Sequence, residues 1–317
     1  MSFIEDFKSR LFKINKETFE ESSLALFDFQ YRNNAVYRSY CDSLRRSPAT
    51  VSESSSIPCL PIQFFKEQII SSSQRKVQAI FKSSGTTSVN RSQHHITDLD
   101  FYHSICKKTF EDRLVELQKI KLIALLPSYQ EVGDSSLINM IDSFMKYTDP
   151  KSGYFPHGEI GDILKEEGPK ILFGVSYALL DASDVQTSNL TVIETGGMKG
   201  RKKEITRNEL HSVLKQKFQV NEIWSEYGMT ELMSQAYGKN GIFKFPEWVR
   251  VYVREINDPF SYRKDNQTGG INIIDLANID SCAFIETKDI GIMQKSDEFE
   301  ILGRYDNSDI RGCNLLI

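Results

Sequence analysis

The chain has 317 residues, 40% hydrophobic and 26% charged, the balance of a globular protein with room for two domains or one domain built from subdomains. Its net charge of −4 comes with no basic block, so no nucleic-acid partner is expected. No apolar run approaches the about 20 residues of a membrane span, the N-terminus lacks the apolar core of a secretory signal, and five cysteines without a CxxC pair form neither a disulfide framework nor a zinc site. A cytoplasmic protein with no membrane span is the expectation.

Residues 1–75 read as a helical N-terminal segment. Leu24, Phe27, Tyr31, Val36 and Tyr40 recur at three- and four-residue steps, and Pro48, Pro58 and Pro61 then break a Ser/Pro-rich connector. Residues 76–244 read as an α/β core. It opens with the strand-like "VQAIF" running into "KSSGTT", followed by an amphipathic helix with Thr97 or Asp98 as its N-cap and Leu99, Tyr102, Cys106, Phe110 and Leu114 on its apolar face. Strands at "KLIALL", "KILFGVS", "LTVIETGG" and "NEIWSEYG" alternate with helices at "SSLINMIDSFMK", 159–168 and "TRNELHSVLKQKF". Strand and helix taking turns with short links is the pattern of a largely parallel sheet. From 245 to 317 the segments "WVRVYVREI", "GGINIIDLA", "CAFIETKDIGIMQ" and "FEILGRY" predict a strand-rich subdomain. The whole is read as one α/β domain over 1–317.

Three loops close apolar strands. "SSGTT" groups Ser83, Ser84, Gly85, Thr86 and Thr87 between Lys82 and Arg91; its hydroxyls and backbone could cradle phosphate, but taken alone it reads as well as a solvated turn, and it is not a Walker loop. Gly196 and Gly197 follow another strand, where α/β sheets bind ligands, although taken alone a tight strand-to-loop turn explains them better. "YGMTE" offers the flat face of Tyr227, close backbone access at Gly228, the hydroxyl of Thr230 and the hard oxygens of Glu231, suited to Mg²⁺. Cys41, Cys59, Cys106 and Cys282 read as small buried hydrophobes; Cys313, near the end, has either a packing or a nucleophilic role. His94, His95 and Trp224 are assigned to loop and core.

In order, "SSGTT", "GG", "YGMTE", "ETKDIG" and "GRYDNSDIRG" resemble the motifs of the adenylate-forming superfamily. "LALFDFQYRNNAVYRSYC", "IPCLPIQFFK", "ALLPSYQEVGDSSLINMIDSFM", "ETGGMKGRKKEITRNELH", "SEYGMTELMSQAY" and "SDIRGCNLL" resemble its LuxE-type acyl-protein synthetases. The resemblance implies the superfamily's large domain, with layered α/β subdomains and a strand-rich one. It implies ATP and Mg²⁺ as cofactors: Ser83, Ser84, Gly85, Thr86, Thr87 and Thr230 on the phosphates, Gly196, Gly197 and Tyr227 at the adenine, Asp289 on the ribose, Arg304 near the nucleotide, Asp306 at the hinge and Glu231 on Mg²⁺. It further implies a fatty or other carboxylic acid substrate, activated as an acyl-adenylate and captured as a thioester on Cys313, and an acyl reductase, acyl carrier protein or acyltransferase as partner. The sequence stops where relatives begin a C-terminal lid with a catalytic lysine, so the lid is expected to be missing and Lys82, Arg91 or Lys199 to supply positive charge. Two rival readings stay open: adenylation with another acceptor (carrier-protein phosphopantetheine, coenzyme A or a sugar amine), and a non-catalytic nucleotide- or acyl-binding partner of a reductase or synthase.

Overall fold

A computed structural model describes all residues except 1, 84–90, 127–132, 157, 186, 197–204, 296 and 306–317. Three helices come first, α1 (Phe3–Arg10), α2 (Phe19–Asn33) and α3 (Ala35–Ser43), then the short β1 (Leu60–Pro61) and α4 (Phe64–Glu67). A separate hairpin of β2 (Ala79–Lys82) and β3 (Gln93–Ile96) leads into α5 (Leu99–Arg113). The alternating region comes next as β4 (Lys121–Leu125), α6 (Ser136–Met145), β5 (Gly153–Tyr154), α7 (Ile160–Lys165), β6 (Lys170–Val175), α8 (Ser176–Asp181), β7 (Leu190–Thr195), α9 (Arg207–Phe218) and β8 (Ile223–Tyr227). The remaining strands are β9 (Ala236–Lys239), β10 (Ile242–Lys244), β11 (Val249–Arg254), β12 (Thr268–Asp275), β13 (Phe284–Met293) and β14 (Glu298–Arg304).

One sheet carries both regions, in the order β11-β12-β13-β14-β10-β9-β8-β7-β6-β4-β5, with β1 alongside β13. From β5 to β8 every pairing is parallel, and from β8 to β11 every pairing is antiparallel. The parallel strands are covered on both faces, as the near-continuous apolar runs require. In β4, Ile123 and Leu125 point into a core with Leu164, Leu179, Leu214 and Phe218 of the 160–218 helices. Leu122 and Ala124 point the other way, into a larger core with Tyr102, Phe110, Ile141 and Phe144 of α5 and α6. That period-two split is the strand geometry made visible.

The helix starts obey their capping chemistry. Asp98, rather than Thr97, caps α5, its carboxylate accepting from Phe101 N at 3.0 Å. Ser135 caps α6, and Thr206 with Glu209 forms a full capping box on α9. Helix α8 and the β9–β10 hairpin are among the elements that escaped the sequence reading. Helix α8 is only six residues and comes directly after β6, so its pattern merged into the apolar run. The β9–β10 hairpin turns on Asn240 and Gly241, both at positive φ (53° and 82°), and an Asn-Gly pair between short apolar strands is the signal that would have found it. The four cysteines expected to be buried are buried and unpaired, and burial pushes Cys41 and Cys106 up to about 12.

Candidate functional site

The parallel strands end together, and a cleft of about 780 Å³ opens over their carboxyl ends, the position where open α/β sheets take ligands. Gly196 after β7, Tyr227 at the end of β8 and Thr230 all line it. Gly196 has a φ of 68°, and its carbonyl accepts from Ser176 Oγ, which fixes the turn out of β7.

Tyr227 is held by its surroundings on the antiparallel side. Its ring packs against Phe243, Phe245 and Phe299 at centroid distances of 5.7, 6.1 and 5.7 Å, and its hydroxyl donates to Asp289 Oδ2 at 2.7 Å. Burial first, and then the Asp289 charge, push the phenol well above its ordinary range, so it stays a donor. Asp289 on β13 stands directly across from Arg304 on β14, with Arg304 Nε 3.8 Å from its Oδ1. Three residues expected around the adenosine therefore form one chain of contacts, Tyr227–Asp289–Arg304.

Thr230 and Glu231 sit on a loop pinned by main-chain contacts. His94 Nδ1 donates to the Thr230 carbonyl at 2.9 Å, and Asn278 Nδ2 donates to the Glu231 carbonyl at 2.8 Å. His94, expected in loop or core, belongs to strand β3, and burial lowers it to about 4, leaving a neutral ring. Residues 233–234 are locked harder. Asp275, fully buried, accepts from Met233 N, Ser234 N, Ser234 Oγ and Ala277 N at 2.9, 2.9, 2.8 and 3.1 Å.

Glu231 is 4% exposed and lies behind the cleft wall. Burial raises its carboxyl, with the Ser92 hydroxyl acting against that rise. A single buried carboxylate whose charge is under-compensated suits a hard cation that takes its other ligands from water and phosphate. Among the described residues no group of three or more His, Cys, Asp or Glu side chains could form a dedicated metal cage.

Ser83 is the one described member of the hydroxyl-rich loop. Its N–H donates to Ser92 O at 3.1 Å and its Oγ accepts from Ser92 N at 3.0 Å, closing the mouth of the loop. Arg91 forks onto Asp134 at 3.0 and 3.2 Å, and Lys82 Nζ lies 3.5 Å from the same carboxylate, so both cations stand in the cleft wall with one shared counter-charge. Ser84, Gly85, Thr86, Thr87, Gly197, Lys199, Asp306 and Cys313 lie outside the described residues.

The sequence reading passed over two carboxylates in the cleft, Glu194 on β7 and Glu226 on β8. Glu194 accepts from Ser176 Oγ at 3.1 Å and lies 3.6 Å from His211 Nε2. Glu226 accepts from Thr195 Oγ1 and is pushed up to about 7, by burial first and by Glu194 in addition. An acid among the last residues of a strand that leads into a loop was the available signal.

Comparison with known proteins agrees with this architecture. Residues 4–120 match the family model described as "Acyl-protein synthetase, LuxE". No curated protein matches the chain by sequence. Among solved structures, ATP-bound MatB from Rhodopseudomonas palustris aligns at 14% identity and TM-score 0.51, over 83% of this chain and 51% of that one. O-succinylbenzoate Coenzyme A Synthetase (MenE) from Bacillus subtilis, in complex with ATP and magnesium ion, aligns at 14% and 0.51, over 73% and 51%. An open conformation of 2-Hydroxyisobutyryl-CoA Ligase with 2-HIB-AMP and CoA aligns at 11% and 0.64, over 92% and 70%. The chain thus spans about half the length of the MatB and MenE chains. The chain shares its fold with these solved structures, and the family model supports the resemblance to LuxE-type acyl-protein synthetases over residues 4–120. No helix among the described residues is long and apolar enough to cross a membrane.

Proposed function

We propose that this chain, LuxE-type in its family match and adenylate-forming in its fold, is an ATP-dependent ligase that activates a carboxylic acid as an acyl-adenylate and passes the acyl group to a thiol, its own Cys313. The observation that carries the reading is the cleft itself: it gathers Gly196, Tyr227 and Thr230 at the carboxyl ends of parallel strands, with Asp289 already hydrogen-bonded to Tyr227.

In this reading Tyr227 and Gly196 flank the adenine, and Asp289, an acceptor beside the Tyr227 hydroxyl, takes the ribose hydroxyls. Thr230, together with Ser83, Ser84, Gly85, Thr86 and Thr87 as the resemblance assigns them, would contact the phosphates, with Lys82 and Arg91 in the cleft wall. The substrate carboxylate attacks the α-phosphorus, the bond to the bridging oxygen breaks, and pyrophosphate leaves. Charge grows on phosphate oxygens, so fixed donors and cations can carry most of the acceleration. Mg²⁺, held through Glu231, would neutralise phosphate charge. The Cys313 thiolate then attacks the acyl carbonyl and AMP departs, leaving a thioester that remains activated for transfer to an acyl reductase, carrier protein or acyltransferase. Family likeness makes a fatty acid the first candidate substrate.

Intact mass after incubation with ATP, Mg²⁺ and a panel of acids tests the reading, on wild type and Cys313→Ser. A hydroxylamine-labile acyl adduct on wild type alone is the expected result. Pyrophosphate release without an adduct would move the acceptor away from Cys313, and neither signal with any acid would overturn the ligase.

A further inference from the structure

Strand alternation divides the cleft. Along β8, Ser225 faces α9, its Oγ 3.3 Å from His211 Nε2, and Tyr227 shares that side. Glu226 faces the opposite side with Thr195, its cross-strand neighbour on β7. There the cleft is walled by Tyr102 of α5, Leu137 and Met140 of α6, and Gln235. With the nucleotide on the Tyr227 side, as proposed above, this second compartment is what remains for the body of the acid.

The compartment is not an alkyl sleeve. Glu226 is half-buried, and while its Oε2 accepts from Thr195, its Oε1 lies over Gly228, where a Cβ would come within 2.5 Å of it. The same point lies 3.5 Å from Gln235 Cγ, so the two side chains are neighbours across the bare glycine. Gln235 is 6% exposed, and its Oε1 has no hydrogen-bond partner. The wall of this compartment therefore holds a carboxylate and an amide whose oxygen has no partner. An alkyl chain packed here would strip water from the Glu226 carboxylate and leave the buried Gln235 oxygen unpaired, whereas a donor would satisfy them. Leu137, Met140 and the Tyr102 ring can still cover methylenes.

We propose that the acid this site activates carries a hydrogen-bond donor on its acyl chain, a hydroxyl or an amino group, received by Glu226 and Gln235, and that an unsubstituted alkanoate is a poor substrate. The inference rests on the adenylation reading for its placement of the acid and narrows the fatty-acid expectation. Glu226 is its specificity-determining residue.

The test pairs acid-dependent ATP–pyrophosphate exchange with calorimetric binding of the same acids in the absence of ATP. The probes are octanoate and its monohydroxy and monoamino analogues, substituted at each carbon in turn, on wild type, Glu226→Gln and Glu226→Leu. At least one substituted acid should exceed octanoate by about tenfold or more in kcat/KM and in affinity, since a site with buried polar groups rejects the analogue that cannot pair with them. Glu226→Leu should erase or invert that ratio. Glu226→Gln, close to isosteric, should keep a hydroxyl preference and lose an amino preference. Parity of octanoate with every substituted acid, or a ratio unchanged in both variants, would overturn the inference while leaving adenylation standing. Selective binding without exchange would instead uphold the pocket and sink the ligase, and neither binding nor exchange with any probe would sink both.

Discussion

The two halves of the sheet solve different problems. The parallel half, β4 to β8, is buried on both faces and offers ligands only its strand ends, where Gly196, Glu194, Glu226 and Tyr227 emerge. The antiparallel half lines the cleft with Phe243 of β10 and residues 300–303 of β14, with Asp289 and Arg304 as a cross-strand pair beside them, and is fastened by buried polar contacts. The halves meet at Tyr227, the last residue of the last parallel strand, which reaches across to Asp289. A cleft built on such a seam keeps its shape only if the antiparallel wall is fixed, and that is the role of Asp275.

The largest expected effect breaks that fixation. Asp275→Ala leaves two backbone N–H groups of 233–234, the Ser234 hydroxyl and Ala277 N without their acceptor, and should cost about 3–5 kcal/mol in chemical denaturation. Ser176→Ala, which removes hydrogen bonds to Glu194 and Gly196 in the parallel half, should cost about 1 kcal/mol. Equal losses would dissolve the distinction between the halves.

At the seam itself, Asp289→Ala should lower kcat/KM for ATP by about 10- to 100-fold with an unchanged circular dichroism spectrum, and Tyr227→Phe by about tenfold. An effect of Tyr227→Phe as large as that of Asp289→Ala would mean the carboxylate acts only through the phenol.

Titration separates the cleft from its support with opposite signs. Glu226 sits near 7 when folded, above the unfolded value of about 4.3, so the folded state holds more protons; the stability it contributes is full below about 4.3 and is lost as pH rises through about 7. His94 sits near 4, below the unfolded value of about 6.5, so its contribution is full above about 6.5 and is lost as pH falls toward 4. In melting curves, Glu226→Gln should gain on wild type as pH rises from about 4.3 to 7, and His94→Gln should gain as pH falls from about 6.5 to 4. A Glu226→Gln difference that does not vary with pH would contradict the burial assigned to that carboxyl. Smallest of all, Thr206→Ala should remove the α9 capping box for about 1 kcal/mol, read by the denaturation midpoint.

The same contrast governs what could be read in advance. In the parallel half β4, β6, β7 and β8 were legible as strands alternating with helices, and its glycines and "YGMTE" close β7 and β8, whereas the two-residue β5 gave no signal. The strand-rich composition of residues 245–317 signalled an antiparallel region, but that region already begins with β9 at Ala236, inside the segment read as α/β core. The contacts that make a site were not: nothing local in the sequence says that Asp275 serves residues 233–234, or that His94 reaches Thr230 from 136 positions away. Glu226 was hidden for another reason. It reads as the solvated end of a strand, and only the packing of α5 and α6 against that end turns it into a cleft residue.

The measurement closest to the central claim is acid-dependent ATP–pyrophosphate exchange in wild type and Asp289→Ala. The account predicts exchange that requires both Mg²⁺ and one acid of the panel and collapses in the variant. Binding of nucleotide with no exchange for any acid would contradict it and leave a cleft that holds its ligand without chemistry.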